Sequence, residues 1–468
     1  MLVMLLLANA AEAQIKRVVD VKEGEALETL LGEDKLDIDT LVVTGSLKHT
    51  DFPVMRQCLY DGKLRVIDIS ECTVEDDSLP DKAFAKYRDP AQLDSIALPK
   101  TLRAIGSDAF YRANITGIDI PATLRIIGRT AFAQCYKLKS VDIPEGVEVL
   151  AGQCFRECDN LEYVSLPSTI KYIGQATFTV CKKLKKIELH EGIEFIGRSA
   201  FESMGQIEEI VIPGSVRSIG EYAFYSNQFL QTVTLPDRLA VIMGYTFEDC
   251  TALCNVEWPS ELEMIFQEAF KSCGFTTLAL PGKIEAIGNE AFADNTRLTK
   301  LLLPESLESI GNAAFAGCEN LKEVYCQRMT PPDVQFIHSM ANPGSDDTNI
   351  PLSPFDGIAD DAVLYVPIGT KSLYEASKFA KGFAEIRETA DFPSAINDET
   401  TAQAGCRVTA GKGCISISTN NGPMQYKVCT AGGLLVAEGE ANGTDIVKAP
   451  AGICIVSTIG GKTKVVVR

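Results

Sequence analysis

Chemistry in this chain could reside in three histidines, one pair of carboxylates, an acidic loop and a run of evenly spaced cysteines. His49, His190 and His338 each stand without a neighbouring nucleophile or a metal-ligand spacing, so none has the partner that nucleophilic catalysis or zinc binding requires. Neither a G-x-S-x-G elbow nor a phosphate-binding loop occurs. Glu188 and Glu209 would fall on neighbouring strands, near the separation that a retaining glycosidase uses, but any acidic repeat array brings such pairs together by geometry alone. The loop Ser345-Asp346-Asp347-Thr348-Asn349 offers oxygen ligands for calcium yet lacks the EF-hand pattern, and reads as a solvated loop. The expectation is a non-enzyme that holds no cofactor and no metal.

Of the fifteen cysteines, Cys135, Cys158, Cys181, Cys250, Cys273 and Cys318 recur at one position of a repeat. That placement reads as a small apolar slot, which a free thiol fills well. Adjacent coils would also bring Cα atoms within disulfide range, so a Cys135–Cys158 bond is the alternative.

The elements that position these residues come from a repeat. Leu166 to Leu184, LPSTIKYIGQATFTVCKKL, has close copies on both sides. Pro99, Pro121, Pro144, Pro167, Pro213, Pro236, Pro259, Pro281 and Pro304 mark the coils, with His190 standing in once as a surface turn residue; Pro99 to Pro121 is 22 residues and Pro144 to Pro167 is 23. Self-similarity at that period signals a solenoid. Aliphatics alternate with charged residues in Leu184-Lys185-Lys186-Ile187-Glu188-Leu189, which suits a short strand with one wet face. Proline ends the strand, because it lacks the N–H that would continue a ladder. A second apolar pair such as Ile170 and Ile173 follows, then a glycine (Gly106, Gly128, Gly174, Gly197, Gly220, Gly288, Gly311) expected at a sharp turn. Met243 and Phe266 occupy that position in two coils, where a locally altered turn is expected. Phe110, Phe132, Phe155, Phe178, Phe201, Phe224, Phe247, Phe270, Phe292 and Phe315 would form a stacked spine with one strand spacing, ~4.8 Å, between rings.

The pattern I-P-x-x-[VLI]-x-x-I-G-x-x-A-F-x-x-C-x-x-L resembles the BspA-like leucine-rich repeats of Bacteroides-type surface proteins over about ten coils, Leu93 to Leu321. The resemblance implies a β-rich leucine-rich-repeat solenoid with terminal caps, and roles in adhesion and host-protein binding. The run from Tyr426 to Arg468, with Ala451-Gly452-Ile453-Cys454-Ile455-Val456 and a final basic strand, resembles the C-terminal sorting-type domains of Bacteroidetes secreted proteins.

These readings divide the chain into a signal peptide (1–13), an N-terminal cap (14–92), repeats (93–326), a C-terminal cap (327–390), a linker (391–398) and a small β-sandwich (399–468). Ala11-Glu12-Ala13 is a small-x-small cleavage pattern behind a short apolar run; a buried N-terminal strand is the alternative. In the first cap Leu41–Gly45 and Leu64–Ser70 read as strands, with a helix near Phe52 to Tyr60. In the second, Val363–Pro367 reads as a strand, a short helix runs to about Ala380, and Phe383 to Ile386 returns as a strand. A net charge of −19 disfavours nucleic acid and anionic lipid, which need clustered Lys and Arg. No stretch has the ~20 apolar residues of a membrane-spanning helix, so direct membrane insertion is not expected. A secreted or outer-membrane-associated monomer is.

The function then rests on surface. The residue before the second-strand isoleucine should point outward, reading Ala104, Ile126, Val149, Tyr172, Phe195, Ser218, Val241, Met264 down the array. The outward column of the first strand passes through Glu188, Val211, Thr234, Glu257, Ala279, Leu302 and Tyr325 and turns from acidic to apolar. Exposed apolar columns mark contact sites, so Ile126, Val149, Tyr172, Phe195, Val241, Met264, Val211, Leu302 and Tyr325 are the candidate residues for a protein or glycan ligand at the cell surface. The rival readings are coil-to-coil packing in a structural spacer that displays another function, and, further off, a polysaccharide-degrading enzyme.

Overall fold

Alternating aliphatic and polar residues set two short strands in most coils, and like strands of successive coils pair in parallel and in register over runs of several coils. The computed structural model describes residues 14–87, 92–337 and 353–393, together with the strands between residues 406 and 467. The expected signal peptide, His338 and the loop 345–349 lie outside the described residues, as does most of the expected linker. First strands pair as Ser140↔Tyr163, Glu209↔Thr232↔Asn255 and Thr277↔Lys300↔Glu323. Second strands pair as Val149↔Tyr172↔Phe195↔Ser218 and Val241↔Met264↔Ala286↔Ser309. Ile173 and Ile210, the inward members, are buried. This is the expected solenoid.

The phenylalanine spine is continuous. From Phe110 to Phe315 successive centroids lie 5.1–5.7 Å apart with rings within 15° of parallel, and each ring is fully buried. It also runs further than the repeat pattern showed. Phe84 stacks on Phe110 at 5.5 Å, and Phe355 on Phe315 at 5.5 Å. Phe84 sits in a coil whose glycine position holds Pro80, and the long segment after Phe315 breaks the spacing before Phe355.

The repeat glycines have a different cause from the one expected. None of the seven has the positive φ of a left-handed turn; that conformation falls two residues later, at Asp108, Thr130, Ala176, Ser199 or Tyr222. What demands glycine is close approach of the preceding coil. A Cβ on Gly197 would meet the Gln175 nitrogen at 2.7 Å, and one on Gly311 the Asn289 nitrogen at 2.3 Å. The second-strand sheet is interrupted between Ser218–Ile219 and Val241–Ile242, immediately before Met243, yet Met264–Ile265 before Phe266 pairs on both sides, and Tyr245 and Glu268 keep the positive φ two residues on, so the altered turn expected at these two positions does not form.

The ends continue the array with wider coils. Lys16–Val21, Thr40–Leu47, Val66–Val74 and Ser95–Ala97 form one parallel sheet, with the helix Phe52–Asp61 in the second connection. At the other end Val363–Pro367 adds to Glu323–Cys326, and Glu385–Thr389 adds to that, with the helix Lys371–Glu375 between. Tyr374 of this helix is buried and donates its hydroxyl to the Arg328 carbonyl at 2.7 Å.

The chain divides into two units, Met1–Ile396 and Asn397–Arg468. The second has two antiparallel sheets: Cys406–Gly411, Cys414–Thr419 and Thr444–Lys448 in one; Leu435–Ala441, Met424–Thr430, Gly452–Thr458 and Gly461–Val467 in the other. Tyr426, Val428 and Val447 are buried within it.

Candidate binding surface

On the second-strand face the repeat places one outward side chain per coil, and four successive ones are apolar. Ile126 is 61% exposed, and Val149, Tyr172 and Phe195 follow it at 47%, 42% and 37%. Their neighbours Ile127, Leu150, Ile173 and Ile196 point inward and are buried, which fixes the outward direction of the ladder. Tyr172 and Phe195 stack at 5.1 Å and 4°. Charges flank the ladder: Lys171 donates to Glu148 at 2.9 Å, and this hydrogen bond holds the lysine above its ordinary pKa.

The same column sinks toward the C-terminal end. Val241 and Met264 are half-buried, and Ala286 and Ser309 are buried. The returning chain lies alongside at this end: Asp333–Gln335 pairs beside Ser309–Gly311, the Asn289 amide donates to the Ile337 carbonyl at 2.9 Å, and the Ile337 amide donates to Asn289 Oδ1 at 3.0 Å. Val241 and Met264 present less surface than the sequence pattern implied.

The first-strand column also divides. Val211 is 54% exposed, whereas Leu302 is buried at 7%, which corrects its place on the wet face. It lies in register between Ala279 and Tyr325. Tyr325 is half-buried; its ring stacks on Tyr365 at 4.5 Å, with the Lys300 ammonium 5.7 Å from its centroid. Ladder neighbours thus cover what an isolated strand would expose.

Glu188 accepts a hydrogen bond from Lys186, which holds its carboxyl below the usual range; a general acid needs the opposite shift. The sheet is also interrupted between the coils of Glu188 and Glu209. His190 is half-buried, and its carbonyl accepts from the Ile193 amide at 3.4 Å, the place Pro167 takes toward Ile170. His49 Nε2 bonds the carbonyls of Glu75 and Ser78 at 3.1 Å, a structural role.

The cysteine slot carries a polar duty that spacing did not reveal. Cys135, Cys158, Cys181, Cys250, Cys273 and Cys318 each donate the thiol to the phenylalanine carbonyl of the preceding spine level, at 3.1–3.4 Å. Burial pushes Cys135, Cys181, Cys250 and Cys318 up to about 12, which keeps them protonated as donors and poor as nucleophiles. All six slot cysteines are free. Asn227 and Asn295 fill the same slot: Asn227 Nδ2 donates to Phe201 and Phe224 carbonyls at 2.8 and 2.7 Å, and Asn295 Nδ2 to those of Phe270 and Phe292. The asparagines were the available signal that the slot favours a donor, although Ala113 and Met204 fill it in two coils.

A turn face went unread as well. Tyr222 and Tyr245 stack at 4.4 Å, and Lys271 joins Glu268 and Glu290 at 3.1 and 2.6 Å. Burial, then the charge of Glu268, raises the Glu248 carboxyl to about 7. Acidic residues one repeat apart, Glu268 and Glu290, were the sequence clue. Among the described residues no group of three or more metal-ligating side chains occurs, and no helix is long and apolar enough to cross a membrane.

The chain is similar to several solved leucine-rich-repeat structures. One from Bacteroides ovatus is 26% identical, covering 59% of this chain and 84% of its own, with a TM-score of 0.42. A leucine-rich cell surface protein of Faecalibacterium prausnitzii is 20% identical, covering 62% and 88%, with a TM-score of 0.34. The pneumococcal vaccine antigen PcpA is 17% identical, covering 77% and 91%, with a TM-score of 0.39. No curated protein matches. The family described as BspA type leucine rich repeat region (6 copies) matches residues 54–165, 103–231, 148–263 and 217–341, more than half of the sequence, and the chain belongs to that family.

Proposed function

We propose that the protein is a secreted or surface-displayed solenoid that binds a protein partner through the second-strand ladder Ile126, Val149, Tyr172 and Phe195, with Val211 and Tyr325 on the neighbouring face as lesser contacts. The observation that supports this most is four apolar side chains at one position of successive coils left open to water. A protein fits better than a glycan. Sugar rings pack flat on an open aromatic face, but Tyr172 and Phe195 cover one another's faces, and Val149 and Ser218 lie in register on either side. Ring edges and branched aliphatics suit an apolar protein surface. The spacer reading leaves the ladder without a purpose, and the lowered Glu188 carboxyl gives no support to the enzyme reading. The second unit, by its resemblance to sorting-type domains, serves export or attachment.

The test incubates the full chain with a panel of purified matrix proteins and, in parallel, with a glycan array. A protein ligand that weakens by tenfold or more on Tyr172→Ala with Phe195→Ala is expected, since a few buried aromatics carry most of an interface. Glycan binding sensitive to the same pair would move the ligand class to sugar. Protein binding indifferent to the pair would remove the ladder from the site.

A further inference from the structure

The first-strand sheet has an open edge inside the array. Glu209–Val211 pairs with Thr232–Thr234 and on to Asn255–Glu257, but not with the coil before it, which makes only the bridge Tyr163↔Lys186 on its other side. The intact rungs set the direction of the unpaired groups. The Thr232 amide donates to the Glu208 carbonyl at 3.2 Å, and the Ile212 amide to the Thr234 carbonyl at 3.0 Å. In a parallel strand the N–H and C=O of one residue point the same way and alternate along the chain. Glu209 and Val211 therefore aim theirs at Lys186 to Glu188, with which they form no rung. Gly205 marks the cause: a Cβ there would fall on the Lys182 carbonyl oxygen, so the chain presses on the preceding coil just before the point where the two strands part.

A groove of about 640 Å³ lies at this gap, floored by Ile187 and Leu189 and edged by Val211, Glu208 and Glu209. Its cations are engaged, Lys185 with Glu162 at 2.6 Å and Lys186 with Glu188. Glu208 and Glu209 have no ion pair among the described residues, so the groove presents two uncompensated carboxylates beside unpaired backbone donors and acceptors.

We propose that this groove takes a basic, extended peptide segment of a partner protein as an added strand. The segment's carbonyls accept from the Glu209 and Val211 amides, and its Lys or Arg side chains reach Glu208 and Glu209. Main-chain bonds give such strand addition its affinity, and alternate side chains its selectivity. The site is separate from the second-strand ladder and shares only Val211 with the surface proposed above.

The experiment uses the full chain and the capped hexapeptide Ac-KVKVTV-NH2, with hydrogen exchange read segment by segment. Protection of residues 206–212 on adding peptide is expected, with no protection from Ac-EVEVTV-NH2 and loss of binding when the basic peptide is N-methylated along one edge. Glu208→Lys with Glu209→Lys should weaken binding by about tenfold or more. Glu208→Gln with Glu209→Gln is the milder variant, and a smaller loss in the same direction supports the proposal. Absence of protection at 206–212 with about 1 mM basic peptide, undiminished affinity in both variants, or protection by cellohexaose in place of peptide would each overturn it.

Discussion

The long phenylalanine spine and the single outer pair Tyr172 and Phe195 share one ring-on-ring geometry and differ in enclosure. Phe155, Phe178 and Phe201 stack at 5.6 and 5.7 Å, Tyr172 and Phe195 at 5.1 Å, all nearly parallel. The first set is fully enclosed, while the second is about two-fifths exposed. The repeat supplies ring-on-ring geometry in both places, because any residue type repeated at one coil position is translated by one strand spacing. Stacking alone therefore says nothing about purpose. Enclosure decides whether a ring contributes to folding or remains available to a partner.

Removing a ring from each column is the sharpest contrast. Phe178→Ala should cost about 3–5 kcal/mol, since a fully enclosed ring leaves a cavity between Phe155 and Phe201; chemical denaturation of the full chain measures it. Near-native stability would mean that the spine can collapse around a gap, and the two columns would lose their distinction.

A smaller effect is expected where the interior column meets its hydrogen-bonding slot. Asn227→Ala strands the Phe201 carbonyl and the Met204 amide, which donates to Asn227 Oδ1 at 2.8 Å, and should cost about 1–3 kcal/mol. Asn227→Cys should recover part of that loss, because a thiol serves the same carbonyl at Cys250 and Cys273. Equal losses in both variants would show that volume, not donation, is what the slot requires.

The turn face lies between the two columns in exposure and gives a third step. Glu248 titrates near 7 in the fold, against 4.5 when free of its surroundings. Over that window the folded state holds a proton that the unfolded chain has released, so this residue makes stability fall as pH rises from about 4.5 to about 7. Glu248→Gln should flatten that part of the curve of Tm against pH by a degree or two, and an unchanged curve would show that Glu248 is already solvated.

What was legible in the sequence follows the same division. The spine, the strands and the apolar ladder could be read because each depends on residue type at a fixed offset. Thr40–Leu47, Val66–Val74 and the helix Phe52–Asp61 lie close to their expected places for the same reason. The burial of Leu302 could not be read, since it depends on the strands adjacent to it in space, where Ala279 and Tyr325 lie in register on either side. The glycine column was legible as a requirement but not as a cause: its conformation is ordinary, and the distance to the preceding coil explains it. Likewise, six cysteines in register resemble an apolar slot until Asn227 and Asn295 are seen bonding the same carbonyls.

The smallest expected effect is on the exposed column, and it tests the comparison from the other side. Tyr172→Ala with Phe195→Ala removes a stacked pair as well aligned as any in the spine, yet the denaturation midpoint should move little. The rings already meet water on their outer edges, so their loss opens no cavity, and the buried Ile173 and Ile196 beneath them remain in place. The stacking itself is worth about 0.5–1.5 kcal/mol in favourable cases, which bounds the change from above. Thermal and chemical denaturation of the double variant, set beside Phe178→Ala on the same axes, would show the two columns separating by several-fold. A loss comparable to that of Phe178→Ala would mean that the ladder is itself packing, and the docking surface would have to be sought elsewhere on the solenoid.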